Sequence, residues 1–177
     1  MKAEPKVLFS EEALGRRVDE LARRISRDYA HVDELLLIGV LRGAFIFLAD
    51  LSRRLTIPRT VDFIGLAAYP EGSVSGGAVR LILDLRTNIE NRHVLIVEDI
   101  VDTGATLAYL QEMLEARNPA SLKTCALVRK TKGRTVNPPV DYLGFETADE
   151  WLVGYGLDYA DQFRTLPFIG IIHPPLA

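Results

Sequence analysis

Residues 94–107 read Val-Leu-Ile-Val-Glu-Asp-Ile-Val-Asp-Thr-Gly-Ala-Thr-Leu, an apolar run followed by acidic residues and a short loop that opens a helical pattern. The run from Val94 to Val97 is typical of a strand buried on both faces of a parallel sheet. Free backbone N–H groups at a helix N-terminus bind anions, and Gly104 lets a ligand approach the chain closely. We therefore expect residues 102–106 to hold a phosphate group.

Two acidic residues, Glu98 and Asp99, follow the point where this strand is predicted to end. Carboxylates beside a phosphate loop would repel the phosphate unless they face ribose hydroxyls or Mg²⁺. The stretch therefore predicts a sugar phosphate that is carried with a metal ion. A core strand followed by an ordinary Asp/Thr helix cap is the alternative, but it gives the acidic pair no role.

The same stretch closely resembles the phosphoribosyl pyrophosphate signature of the type I phosphoribosyltransferases, in particular of their bacterial-type hypoxanthine-guanine branch. The resemblance covers most of the chain from Leu36 to Ile172. It implies an α/β fold with a mostly parallel central sheet flanked by helices, a small hood and a flexible loop. The activity that it implies is purine salvage, in which the 5-phosphoribosyl group passes to N9 of hypoxanthine or guanine, giving IMP or GMP and pyrophosphate.

The resemblance also assigns roles within residues 98–106. Asp102 would be the general base that takes the N7 proton of the purine. Glu98 and Asp99 would hold the ribose hydroxyls, directly or through Mg²⁺ and water. The 5′-phosphate would be held by four consecutive loop residues, Thr103, Gly104, Ala105 and Thr106.

The rest of the chain predicts one domain, 1–177, in which strands alternate with helices. Helices are predicted from Ser10-Glu-Glu through Ile25, at 43–55 and at 106–116, and strands at 35–40, 61–68, 79–83, 94–97, 122–129, 142–145, 152–154 and 168–172. In an open parallel sheet, ligands bind beyond the carboxyl ends of the strands. We therefore expect the chemistry to lie in the loops that follow Val40, Val97, Arg129 and the later strands.

The loop Leu41-Arg42-Gly43-Ala44 follows the first long strand and would on its own be an ordinary strand-to-helix turn. It resembles the pyrophosphate loop of the family, which implies that Leu41, Arg42 and Gly43 contact substrate. The family usually carries lysine where this chain has Arg42. Relatives commonly have a non-proline cis peptide bond here.

Residues 69–77 form a Pro/Gly/Ser-rich stretch that is too long for a tight hairpin and too poor in apolar residues to pack. Such a stretch is typical of a surface loop or of a lid that closes over substrate. The resemblance implies a catalytic lid, which usually carries a Ser-Tyr pair. Here the pair is Ala68-Tyr69, so the serine contact is lost, although a backbone N–H could still bind pyrophosphate.

Lys130 and Trp151 alone would be a solvated lysine and a core tryptophan. Their order and spacing match the purine pocket of the family. By that resemblance, Lys130 would donate to the 6-oxo group, Trp151 would stack on the base, and the Leu152 carbonyl would accept from the ring N–H. Adenine would set an amino donor against a lysine donor and leave buried groups unpaired, so it should be a poor substrate.

Asp158 and Arg164 flank a predicted helical turn at 159–163 and alone would be a surface ion pair. The resemblance implies that Asp158 holds a second Mg²⁺ and that Arg164 contacts pyrophosphate. A planar guanidinium suits this role because its donors can bridge phosphate oxygens.

Composition excludes several classes of function. A net charge of −3 gives no electrostatic footprint for nucleic acid or a membrane surface. The single cysteine, Cys125, lies in an apolar run and predicts a buried thiol, no disulfide framework and a reducing compartment. With neither a signal-peptide pattern nor an apolar run long enough for a bilayer, the expected location is the cytoplasm.

Two alternatives remain open at this point. A xanthine or pyrimidine phosphoribosyltransferase would share the phosphate motif. A regulator that senses phosphoribosyl pyrophosphate and binds nucleic acid would also share it, but it should show a basic face or an added DNA-binding domain. Relatives are dimers or tetramers, so we expect a homodimer or homotetramer, with the apolar helix after Arg42 as a candidate interface.

Overall fold

The computed structural model describes residues 4–68, 79–133 and 135–173. Its strands are β1 Lys6–Phe9, β2 Leu35–Leu41, β3 Arg59–Ala68, β4 Val79–Leu83, β5 His93–Val101, β6 Ser121–Lys130, β7 Tyr142–Thr147, β8 Trp151–Val153 and β9 Ile169–Ile172. Its helices are α1 Glu11–Asp28, α2 Phe45–Arg54 and α3 Ala105–Glu115. Ser10 caps α1 as predicted, because its hydroxyl accepts a hydrogen bond from the Ala13 N–H at 3.3 Å.

The central sheet has the strand order β4-β3-β2-β5-β6-β7 and is parallel except for β4. Its two innermost strands are apolar on both faces, so alternate residues of β2 enter two different cores. Leu35 and Leu37 pack on the side of α1 and α2, whereas Leu36 and Ile38 pack on the side of α3. This confirms the predicted α/β fold and directs the carboxyl ends of the parallel strands to one edge.

A second sheet of three antiparallel strands, in the order β1-β9-β8, forms the small hood. The sequence did not reveal β1, which has four residues and no buried one. Its stability comes from pairing with a distant segment, since Lys6 lies opposite Ile171. No periodicity within the N-terminal stretch carries that information.

The prediction that the central strand ends at Val97 was wrong, because β5 continues to Val101. Acidic residues are disfavoured in strands, which is why the pattern suggested an end. Pairing overrides that preference here, since Glu98 lies opposite Ala126 and Ile100 opposite Val128 on β6. The two carboxylates therefore project from a rigid strand.

The predicted helical turn at 159–163 is also wrong. Ala160, Asp161 and Phe163 have φ angles of 50°, 61° and 73°, which lie in the left-handed region. The backbones of Tyr159 and Gln162 exchange two hydrogen bonds of 3.0 and 3.2 Å instead. Asp158 and Arg164 are brought together by this irregular turn.

Several local features bear on the site and on the sequence analysis. The Leu41–Arg42 peptide bond is cis. Cys125 is fully buried as predicted, and burial raises the pKa of its thiol. The expected lid, including Tyr69 and Pro70, lies outside the described residues. Within the part of the chain that is described, no helix has the length and apolar character needed to cross a membrane.

Candidate active site

Two adjoining cavities lie at the carboxyl ends of the parallel strands, where the sequence predicted the site. The larger has a volume of about 610 Å³ and extends from Arg42 to Trp151 under the hood. The smaller, of about 230 Å³, lies over the N-terminus of α3. Ile100, Asp102 and Thr103 line both cavities. The volume of the larger cavity is in the range of small-molecule sites, and the shared wall makes the two cavities one crevice.

The phosphate loop begins α3 without a side-chain cap. Gly104 has a φ of 85°, and a Cβ atom there would lie 2.5 Å from the Val136 carbonyl oxygen. The N–H groups of Thr135 and Val136 donate to the Thr103 carbonyl at 3.0 and 3.2 Å and fix the loop from behind. Gly104, Thr106 and Leu107 line the small cavity, so it lies at the N-terminus of the helix, a place that suits an anion.

Glu98 and Asp99 are buried, with exposed fractions of 7% and 9%. Because they alternate along β5, Glu98 lines the small cavity and Asp99 the large one. Burial, together with the charge of Asp99, raises the pKa of Glu98. Burial raises the pKa of Asp99 to about 6, against hydrogen bonds from backbone N–H groups and the charge of Arg164. Both carboxylates are therefore poorly solvated, and hydrogen bonds from hydroxyl groups or contact with a cation would stabilise their charges.

Lys130 is the last residue of β6, and its ammonium is almost buried. Its Nζ donates to a carboxylate oxygen of Asp102 at 3.0 Å and to one of Asp149 at 2.9 Å. Burial opposes the charge, but the hydrogen bonds to Asp149 and Asp102 prevail and raise the pKa of Lys130. The sequence analysis missed Asp149, whose only signal was an acid two residues before Trp151.

Trp151 lines the same cavity and is not a core residue, since 59% of it is exposed. It is the first residue of β8 rather than a residue before the strand. Its indole meets the Tyr159 ring edge-on, with centroids 5.8 Å apart. The next residue, Leu152, is buried and also lines the cavity. An open aromatic face beside Lys130 can accept a planar ring.

Two arginines from distant segments meet on the other side of the crevice. Arg164 contacts Asp158 at 2.6 Å through Nη2 and donates to the Gly156 carbonyl at 2.8 Å through Nη1. Asp161, which sequence reasoning missed, forms ion pairs with both Arg164 and Arg42. The irregular turn aims its carboxylate at the guanidinium groups, which are thereby positioned to hold an anionic group.

Metal binding was predicted for Glu98, Asp99 and Asp158. Across residues 4–68, 79–133 and 135–173, no group of three or more acidic, histidine or cysteine side chains is close enough to hold a metal ion. One buried oxygen of Glu98 has no hydrogen-bond partner among those residues. The carboxylates of Glu98, Asp99 and Asp158 fit Mg²⁺ that is shared with a substrate, because that ion is usually held by one or two carboxylates plus substrate phosphates.

The remaining predicted residues take the following positions. Leu41 ends β2, and Gly43 lines the large cavity. Ala105 and Thr106 open α3, with Thr106 at the wall of the small cavity. Ala68 is the last residue of β3 and pairs with Val79, whereas its neighbour Tyr69 is not described.

Comparisons with known proteins show which proteins the chain is similar to. The model of the phosphoribosyl transferase domain family matches residues 6–160. The chain is 44% identical over 167 residues to hypoxanthine-guanine phosphoribosyltransferase of Dictyostelium discoideum, covering 93% of each protein. It is 46% identical over 171 residues to hypoxanthine phosphoribosyltransferase of Buchnera aphidicola subsp. Schizaphis graminum, covering 96% of this chain and 97% of the relative.

A solved structure is similar over the same extent. It is a ternary complex of a mutant hypoxanthine phosphoribosyltransferase from Trypanosoma cruzi with substrates, and it superposes with a TM-score of 0.89. The two sequences are 47% identical, and the match covers 97% of this chain and 96% of the other. Similarity therefore extends through the central sheet and the hood alike.

Proposed function

The chain belongs to the phosphoribosyl transferase domain family, and on that premise we propose that it is a purine-salvage enzyme. It transfers the 5-phosphoribosyl group from phosphoribosyl pyrophosphate to N9 of hypoxanthine or guanine. The products are IMP or GMP and pyrophosphate. The names of its relatives support hypoxanthine and guanine over xanthine or a pyrimidine as the accepting base.

One observation carries this proposal: Lys130 Nζ and a carboxylate oxygen of Asp102 lie 3.0 Å apart at the wall of the large cavity. In a 6-oxopurine, the oxygen at C6 and the nitrogen N7 are neighbours on one edge of the ring. A lysine donor beside a carboxylate acceptor complements that edge, because Lys130 can donate to the oxygen while Asp102 accepts the N7 proton. Adenine has an amino group at C6, so a donor of the base would face the Lys130 donor.

The leaving group calls for cationic partners. Arg42 and Arg164 would donate hydrogen bonds to the departing pyrophosphate. Pyrophosphate would then replace Asp161, which pairs with both arginines in the structure. Transfer breaks the bond between C1 of the ribose and pyrophosphate while N9 attacks from the opposite face, so the configuration at C1 inverts. The carbon gains positive character, and the buried carboxylate of Asp99 lies in the same cavity as the two arginines.

The ribose 5′-phosphate would bind the backbone N–H groups of residues 103–106, with Glu98 at the wall of the same small cavity. Glu98 and Asp99 would accept hydrogen bonds from the ribose hydroxyls. One Mg²⁺ would be held by these carboxylates and a second by Asp158, each together with substrate oxygens, and the two ions would supply neutralisation of charge on the leaving group when bound. Positioning of the two substrates supplies much of the remaining rate enhancement.

The test is nucleotide synthesis from phosphoribosyl pyrophosphate and Mg²⁺ with hypoxanthine, guanine, xanthine, adenine and uracil in separate reactions. We expect rapid formation of IMP and GMP, with adenine and uracil inert. Turnover of uracil or a preference for xanthine would favour the other transferases. Tight binding of phosphoribosyl pyrophosphate without turnover of any base would favour a sensor.

A lysine variant tests the base-recognition step within that assay. Lys130→Met removes the donor to the 6-oxo group and should raise KM for hypoxanthine about 10- to 100-fold, since a lost hydrogen bond to a charged group costs about 1.5–3 kcal/mol. Lys123→Met is the matched control because Lys123 lies on the same strand at its opposite end, over the rings of Tyr29 and Tyr142. An equal loss in both variants would remove the proposed role of Lys130.

Assembly into a homodimer or homotetramer also belongs to the proposal. Large apolar side chains at one edge of the central sheet and at the start of α2 are more than one-third exposed; these are Phe45, Val61, Phe63, Ile82 and Leu83. Val61, Phe63 and Gly65 share one face of β3, and a Cβ on Gly65 would contact Leu83. A second copy of the chain would cover this surface, which we call the β3–β4 face.

A further inference from the structure

A partly buried hydrogen bond joins the hood to helix α2, next to the backbone that holds Arg164. Tyr155, of which 6% is exposed, donates its hydroxyl hydrogen to a carboxylate oxygen of Asp50 at 2.6 Å. Tyr155 follows β8, and Asp50 lies in α2, 105 positions away in the sequence. Neither residue has a role in the reaction described above.

On the core side, the acceptor is held firmly. Asp50 also forms an ion pair with Arg53 and lies 3.5 Å from Arg54 Nη1, while Arg54 Nε donates to Asp19 of α1 at 2.7 Å. Burial opposes its charge, but the hydrogen bonds from Tyr155 and Arg53 lower the pKa of Asp50, so it accepts as a carboxylate. Because α2 begins at Phe45, with Ala44 as its N-cap, this anchor lies on the helix that follows the loop of Arg42 and Gly43.

On the hood side, the donor lies in an unusual stretch of backbone. Gly154, Tyr155 and Gly156 have φ angles of 95°, 51° and 107°, so three consecutive residues are left-handed. Glycine adopts this conformation freely, but a tyrosine pays about 1–2 kcal/mol. The side chain of Tyr155 must therefore make contacts that offset the strain, and its hydrogen bond to Asp50 is one of them.

The same stretch of backbone holds Arg164 and touches the loop after β2. The Gly156 N–H donates to the Arg164 carbonyl at 2.9 Å, and the Gly156 carbonyl accepts from the Arg164 guanidinium at 2.8 Å. A Cβ on Gly156 would lie only 1.9 Å from the Gly43 carbonyl oxygen. A shift of Tyr155 would therefore move Arg164 relative to Gly43 and Arg42.

We propose that Tyr155 and Asp50 are positioning residues that hold the two arginine-bearing segments at the spacing that pyrophosphate requires. The inference rests on the proposed function, in which Arg42 and Arg164 bind the pyrophosphate of the substrate. Both residues act through backbone and neither touches the reacting atoms. Loss of their hydrogen bond affects binding of phosphoribosyl pyrophosphate selectively, because Lys130 ends β6 and Asp102 follows β5, so both are positioned by strands that do not carry this hydrogen bond.

The experiment compares Tyr155→Phe with a matched variant, Tyr142→Phe. Tyr142 is 1% exposed and donates to Asp28 at 3.1 Å, which is a second partly buried tyrosine–aspartate hydrogen bond, located at the start of β7. Steady-state kinetics would be combined with calorimetric titration of phosphoribosyl pyrophosphate and with thermal unfolding. We expect both variants to lose stability, but only Tyr155→Phe to raise KM and Kd for phosphoribosyl pyrophosphate, by about tenfold, with KM for hypoxanthine within about twofold of wild type.

Variants of the acceptor make the test independent of the tyrosine. Asp50→Asn keeps an oxygen that can accept from Tyr155 and should retain most of the affinity, whereas Asp50→Ala should match Tyr155→Phe. Combined in one chain, Tyr155→Phe and Asp50→Ala should add no further loss of affinity, because the single hydrogen bond is already gone. These variants answer the question even if Tyr155→Phe does not fold.

Three results would contradict different parts of the proposal. Unchanged KM and Kd for phosphoribosyl pyrophosphate in Tyr155→Phe and Asp50→Ala, with the wild type active, would overturn the positioning role and leave a purely structural one. No nucleotide synthesis by the wild type with any base would overturn the proposed function itself. Additive effects in the double variant would show that the two residues act separately.

Discussion

A single carboxylate, that of Asp102, carries the proton transfer in the proposed reaction. It is half exposed and contacts Lys130 at 3.0 Å, so it can exchange the lysine for the N7 proton of a bound purine. Asp102→Asn keeps the size of the side chain but cannot accept a proton. We expect kcat to fall about 10²- to 10⁴-fold, the usual contribution of a general base, with little change in KM for phosphoribosyl pyrophosphate.

Steady-state kinetics with hypoxanthine would measure this effect. Asp149→Asn is the control, since it removes the other carboxylate that contacts Lys130 at 2.9 Å without facing N7. It should raise KM for hypoxanthine and retain most of kcat. A nearly normal kcat in Asp102→Asn would end its assignment as the base.

Asp99 links catalysis to stability through pH. Its pKa is raised from 3.8 to about 6 by burial, so the folded protein binds more protons than the unfolded chain between about pH 4 and pH 6. The free energy of unfolding therefore falls as pH rises through that window. Asp99→Asn should stabilise the protein at pH 7.5 by about 1–3 kcal/mol, and much less at pH 4, while activity is lost.

Chemical denaturation at the two pH values would measure the difference. Asp62→Asn should show the opposite sign at pH 7.5, because burial opposes the charge of Asp62 but hydrogen bonds from Phe63, Thr87 and Arg86 lower its pKa below the ordinary value. The stability that Asp62 contributes is present at neutral pH and lost as pH falls through its lowered pKa. Equal stabilisation by Asp99→Asn at both pH values would contradict the argument.

At the scale of elements, the phosphate loop depends on one glycine. Gly104 is left-handed, and an added Cβ would lie 2.5 Å from the Val136 carbonyl oxygen, which is backbone. Gly104→Ala should therefore destabilise the loop by about 1–3 kcal/mol and weaken phosphoribosyl pyrophosphate binding. Gly15→Ala is the contrasting change, since a Cβ inside α1 would meet nothing within 4 Å and should stabilise the helix by about 0.5–1 kcal/mol.

Thermal unfolding and calorimetric titration of phosphoribosyl pyrophosphate would follow both variants. Stability should move in opposite directions, and affinity should change only in Gly104→Ala. Wild-type affinity in Gly104→Ala would show that the loop tolerates a side chain and does not need close approach of the phosphate.

The elements that could be predicted from the sequence are those whose information is local. The apolar run at 94–97 and the loop with Gly104 specify a buried strand, a turn and a helix within fourteen residues. The ends of strands were less predictable, because Glu98 and Lys130 continue their strands through pairing with neighbours. The prediction of a helical turn at 159–163 was wrong, because the spacing of side chains in the sequence does not indicate a left-handed backbone.

The members of the candidate site could be named from the sequence, but their contacts with one another could not. The family resemblance named Asp102, Lys130 and Arg164. The hydrogen bond between Asp102 and Lys130, however, joins residues that are 28 positions apart in the sequence. Asp149 and Asp161 carry no motif of their own and become visible only when their strands and turns bring them against a cation. Such partners depend on tertiary packing, which no local pattern encodes.

At the scale of the whole molecule, the exposed β3–β4 face makes a prediction about assembly. Phe63, one of the residues of this face, is more than one-third exposed, and the chain has a mass of 19.7 kDa. Sedimentation equilibrium should give a mass of two or four chains for the wild type. Phe63→Glu should shift it toward the monomer or dimer, because a charge in an apolar interface must be desolvated.

The matched control is Val7→Glu, which introduces the same charge at another exposed apolar residue, on the hood strand β1. It should leave the mass unchanged, so a loss of mass in both variants would indicate a general effect of charge. A monomeric wild type, or an oligomer that Phe63→Glu does not dissociate, would show that the β3–β4 face is not the interface. Thermal unfolding at several protein concentrations gives a second readout, because an oligomer that stabilises the folded chain makes Tm rise with concentration, and that dependence should disappear in Phe63→Glu if it dissociates fully.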